Sequence, residues 1–129
     1  MITALEVPLK VDQAFVNRYG SEFYYIITCK NDFIVYHEKL EKLFDGSVPV
    51  PQNIKTLEFG KNNESFFIGT DRGKLYKFSI PNKALAQDEP LEIDEGSINI
   101  LYRLNGIKDE DMFLVHVANS GVKAISFDN

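Results

Sequence analysis

The side chains able to do chemistry are few, and their spacing does not group them. The two histidines, His37 in "VYHEK" and His116 in "LVHVA", lie nearly eighty positions apart. A general base or metal ligand needs convergent partners, and neither has a carboxylate or second ligand at a useful spacing. His116, between two valines, reads as a buried or half-buried strand residue, and His37 as a partly exposed one. Cys29 is the single cysteine, followed by Lys30. One basic neighbour is weak activation for a thiol, so an inert, half-buried Cys29 is expected. The "GTDRGK" segment, Gly69 to Lys74, has two glycines and a lysine but not the Walker spacing, and an apolar strand-like run follows it rather than a helix. Asp109, Glu110 and Asp111 lack the alternating ligand spacing of a calcium loop, and no serine sits in a nucleophile-elbow pattern. The sequence therefore assigns no catalytic residue, no metal site and no cofactor.

Function must then come from the elements that carry these residues. The 129-residue chain is 44% hydrophobic and 26% charged, the usage of a folded single domain. The lone Cys29 cannot close an internal disulfide, which points to an intracellular, reducing compartment. No uninterrupted apolar run reaches membrane-spanning length, so membrane insertion is not expected. The net charge of −5 is uneven: residues 1 to 87 hold 11 basic against 10 acidic residues, and residues 88 to 129 hold 3 against 9. An acidic chain without a basic stripe is a poor match for phosphate backbones, which argues against nucleic acid. The acidic segments "QDEPLEIDE" and "KDEDM" read as solvated loops.

The organisation becomes visible in "FFIGTDRGKLYKFSI", Phe66 to Ile80, which reads as a β-hairpin. Shifted back by 42 residues it lies over "YYIITCKNDFIVYHE", and shifted forward by 47 over "FLVHVANSGVKAISF", in each case without a gap. Apolar columns persist: Phe66, Tyr24 and Phe113; Phe67, Tyr25 and Leu114; Ile68, Ile26 and Val115; Leu75, Phe33 and Val122; Phe78, Tyr36 and Ile125. The intervening turns, "DRGK", "CKND" and "ANSG", are rich in residues that tolerate positive φ or bond their own backbone. Each hairpin follows one further strand, in "VDQAFV", "IKTLEF" and "INILYRL". A fourth strand is expected at Leu91 to Ile93, with relatives in "KLEKLF", Lys39 to Phe44, and in "ALEVPL" at the N-terminus. All five prolines fall between these strands.

Three four-stranded units of 42 to 47 residues resemble WD40 and related β-propeller blades, most closely in the stretch Ile54 to Ile80. Thr70 and Asp71 stand where that family often carries a hydroxyl and an aspartate bonded within the blade. The chain has no tryptophan, so Phe78-Ser79 takes the place of the Trp-Asp pair. The resemblance implies an all-β chain of three antiparallel units, about 9–45, 46–95 and 96–129, with residues 1–8 pairing into the last. Three blades do not close a ring of four to eight. Either a second copy or a protein partner is expected to complete it, along an assembly edge of Ile2, Leu5, Val7, Val122, Ile125 and Phe127, or the chain is the N-terminal piece of something longer. The implied function is a non-enzymatic interaction or scaffold module that recognises partners through a face carrying Lys30, Asn31, Asp71, Arg72 and Asn119, with Asp109 to Asp111 opposite. Tyr76 and Tyr102 are candidate exposed anchors. The alternative fold is a β-trefoil, which closes at this length as a monomer and would bind a ligand or glycan.

Overall fold

The computed structural model describes residues 10–19, 22–37, 41–60, 64–86, 89–104 and 111–127. Those residues form strands and no helix. The first unit holds β1 (Gln13–Tyr19), β2 (Glu22–Cys29), β3 (Asp32–His37) and β4 (Lys42–Ser47). In the second are β5 (Ile54–Phe59), β6 (Ser65–Thr70), β7 (Lys74–Ser79), β8 (Ala84–Leu85) and β9 (Leu91–Glu92). The third consists of β10 (Ile98–Leu104), β11 (Asp111–Val117) and β12 (Gly121–Phe127).

Each unit is its own antiparallel meander, and among the described residues no strand pairs with a strand of another unit. A β-trefoil would merge its repeats into one barrel, whereas these three sheets meet through their faces. Two separate cores result. Phe33, Val35 and Phe44 of the first sheet pack with Phe66, Ile68 and Phe78 of the second. On the other side of the second sheet, Phe67 and Leu75 pack with Ile98, Phe113 and Val115 of the third.

Burial along the strands follows from this stacking. Every residue of β6, "SFFIGT", is buried, because sheets cover both faces of the strand. In β11 buried residues alternate with exposed or half-buried ones, the pattern of a strand with one covered face. Aromatic rings fill the first core: Phe33 stands edge-on to Phe66 at 5.4 Å and to Phe78 at 4.8 Å. In the second core a Cβ on Gly69 would lie 2.7 Å from Ile98 Cγ2, so the missing side chain is what admits the third sheet.

The structure revises several expectations. Thr28 faces Phe33, five residues on, whereas Gly69 faces Leu75 and His116 faces Val122, each six residues on. The first turn is thus one residue shorter, made possible by Lys30 at φ 53, and the first hairpin matches the second only with a gap. Ile26, not Tyr25, therefore occupies the column of Phe67. The fourth strand of the first unit, Lys42–Ser47, overlaps the expected segment from Lys42 to Phe44 and runs on to Ser47. That of the second is split, with β8 on Phe78 and Ser79 and β9 on Lys74 and Leu75. Between Leu85 and Leu91 the chain advances six residues while its partner advances three, from Phe78 to Leu75. Asp111 is no solvated loop residue; it begins β11 and is buried. Asp109 and Glu110, like Ile2, Leu5 and Val7 and their expected pairing with the last unit, lie outside the described residues.

Candidate protein-interaction face

The turn in the middle of each unit is tied to the loop by which the chain enters that unit. Lys30 N–H donates to Asp12 Oδ2 at 2.7 Å in the first. In the second, Asp71 Oδ1 accepts from Asn53 N–H at 2.9 Å and Oδ2 from Asn53 Nδ2 at 3.2 Å, while Asp71 N–H donates to Asn53 O at 3.0 Å. Ala118 N–H donates to Ser97 O at 2.8 Å in the third. These bonds place the three turns and the entering loops on one end of the strands.

The turns also grip the loop leading onward. Lys30 O accepts from Ile54 N–H at 2.7 Å, and Asn31 is bonded twice to Val48, through Nδ2 and through its carbonyl. Gly73, at φ 72, presents its carbonyl to the amides of Ile93 and Asp94. A Cβ there would sit 1.7 Å from Asp94 O, so glycine is required by conformation and by space.

Beneath the second turn runs a buried polar chain. Thr70 Oγ1 accepts from the amides of Arg72 and Lys74 and donates to Gln52 Oε1 at 3.1 Å. Gln52 Nε2 donates to Tyr76 Oη at 2.8 Å. Tyr76 is thus a buried member of this network rather than an exposed anchor, and Tyr102 is exposed. Gln52 was not legible as a network residue, since it follows Pro51 in what reads as a loop.

Among the described residues, three open clefts line this face. One of about 510 Å³ lies between the first two units and is bordered by Asp12, Lys30, Asn53 and Asp71. Another, of about 690 Å³, is bordered by Arg72, Lys74, Glu92 and Asp94. The third, of about 610 Å³, combines Arg72 and Lys74 with Pro49, Val50, Pro51 and Pro90. Arg72 borders two of the clefts, and among the described residues its guanidinium makes no hydrogen bond or ion pair. Lys74 lies 3.9 Å from Glu92, and Lys123 lies 3.2 Å from Asp94. The Glu95 amide, then Lys123 and Ser120, hold the Asp94 carboxyl below its usual value. Val50, which shares the third cleft with Arg72, is 74% exposed.

Lys30, Asp71 and Arg72 are therefore gathered at clefts, and Asn31 is committed to bonding the loop behind it. Asn119, at φ 66, occupies the corresponding third turn but borders none of these clefts. Val122 and Ile125 fall on opposite faces of β12: Val122 is exposed, and Ile125 packs on the second core. Phe127 ends β12. The histidines stay apart on the first and third sheets, and neither borders these clefts. His37 stacks edge-on with Tyr24 at 5.7 Å, and His116 is half-buried with Nδ1 lacking a hydrogen-bond partner. Cys29 is half-buried. No group of three metal-ligating side chains occurs among the described residues, and none of their helices could cross a membrane, there being none.

No family model and no curated protein sequence matches the chain. Solved structures do. The chain is similar to the C-terminal WD40 domain of Sif2, at a TM-score of 0.66 and 10% identity, over 95% of this chain and 35% of that one. It is also similar to a chain of the mitotic checkpoint complex, at a TM-score of 0.60 and 6% identity, over 96% of this chain and 46% of the other. The chain thus spans less than half the length of either structure. Its fold is that of WD40-type propeller blades, three of them, in a partial propeller.

Proposed function

We propose that this chain is a non-enzymatic protein-interaction module of an intracellular complex, and that it recognises a partner through the face bearing the turns of the three units. The observation that carries this is the contrast around the second turn. Thr70, Asp71 and Gln52 are engaged in hydrogen bonds that hold the turn, whereas the Arg72 guanidinium has no partner among the described residues and shares a cleft with exposed Val50. A frame that presents a cation and an exposed apolar side chain at one cleft suits a protein segment carrying an acidic and an apolar group.

As a partial propeller the module gains its remaining blades from a second copy or from a partner subunit. Support comes from the likeness to WD40 structures more than twice as long. The test of the recognition face is capture of partners from the native source with wild-type protein and with Arg72→Glu. Equal thermal stability with loss of the captured partners supports the reading. Equal capture by a folded Arg72→Glu protein overturns it.

A further inference from the structure

We propose that the outward face of the third sheet docks onto the outward face of the first sheet of a second copy, so that two chains pair head to tail into a ring of six sheets. This rests on reading the chain as an incomplete propeller, and it names the partner as the chain itself.

The repeat register carries the argument. Phe33, Leu75 and Val122 are each the second residue of the strand after the turn; Phe33 and Leu75 face the next sheet in order, and Val122 holds the same register on the outward face of the third. Phe33 is 1% exposed in the first core and Leu75 0% in the second, yet Val122 is 63% exposed. Ile26, Phe67 and Leu114 form a second such column: the first two are fully buried, and Leu114 is exposed. Tyr102, opposite Leu114, and Ile100, opposite His116, extend the face and are also exposed. Across the paired rows Ile100, His116, Val122 and Tyr102, Leu114, Ala124 there is no Lys, Arg, Asp or Glu. The third sheet therefore repeats, uncovered, the surface that the first two sheets bury against their successors. An apolar sheet face of this kind marks an interaction site.

The chain also carries the surface that belongs opposite. Phe15, Ile26, Val35 and Phe44 of the first sheet point to the second, so Val16, Tyr25 and Ile27 point away. That is the side by which the second and third sheets receive their predecessors. Val16 is 50% exposed and Tyr25 and Ile27 are half-buried, while Ile34 and Tyr36 on the same side are already covered within the chain. A donor face and a receiving face on one chain make a head-to-tail contact, and two copies with three sheets each fall within the four to eight blades that close.

The test uses molar mass by light scattering on the full chain and on two variants, Val122→Asp and Val16→Asp. Wild type is expected at twice 14.7 kDa. Each variant alone is expected to weaken pairing by roughly thirtyfold or more. Mixed together they are expected to pair again, since each supplies the face the other lacks. A wild-type monomer at every concentration overturns the proposal, as does a dimer that Val122→Asp breaks and Val16→Asp leaves intact, which would be pairing through the third sheet alone. Circular dichroism verifies folding, and Tyr102→Lys replaces Val122→Asp if the latter unfolds. These outcomes are independent of partner capture through Arg72, so a monomeric chain whose capture still depends on Arg72 refutes self-pairing and leaves the interaction reading standing.

Discussion

Asp71 and Asn53 are joined by three hydrogen bonds, two accepted by the carboxylate and one donated by the Asp71 amide. In the first unit the carboxylate has moved to the other partner: Asp12, in the entering loop, accepts from the turn amide of Lys30. Either placement locks a turn to the loop beneath it. The aspartate of the "GTDRGK" segment is a structural brace.

Removing that brace should cost stability without changing the fold. Asp71→Ala loses two bonds to a charged acceptor at a partly exposed site, and a loss of about 1 kcal/mol is expected. Urea unfolding checks this through a lower midpoint at unchanged slope.

A larger effect is expected one layer down. Tyr76→Phe leaves Gln52 Nε2 buried without its acceptor, which costs about 1–3 kcal/mol. Tyr102→Phe, at an exposed position, should change unfolding very little. Comparing the two melting curves separates a buried network from an exposed ring.

Much of this architecture was legible in the sequence, and the failures have physical causes. The hairpin from Phe66 to Ile80 reads clearly because burial on both faces demands continuous apolar runs, and Gly73 marks a turn with positive φ. The shorter first turn was hidden because Lys30 adopts positive φ without glycine's signature. Asp111 was misread because clustered charge resembles a solvated loop, although the last of three acidic residues starts a buried strand. Tyr76 was ambiguous by nature, since one ring and hydroxyl suit an interface or a core network equally. The brace was half visible: Asp71 stood out by type and position, whereas Asn53 lay in a loop with no signal of its own.

Stability should also depend on acid. Burial raises the Glu58 pKa above its ordinary value near 4.5, with Arg103 partly opposing the shift. A carboxyl whose folded value is raised favours the folded state most when protonated. Its contribution is therefore complete below the unfolded value and is lost as pH rises through the folded one. Glu58→Gln should stabilise the protein at neutral pH, and the gain should vanish as pH falls to the ordinary glutamate range. Thermal midpoints measured across that range would show whether the two curves converge.

The account turns on three blades that do not close on themselves. The most direct test is the molar mass in solution of the 129-residue chain, purified alone and after incubation with an extract of its native source. A stable assembly clearly heavier than 14.7 kDa, built from further copies or from a partner, is the predicted result. A long-lived, fully folded monomer of 14.7 kDa would contradict it.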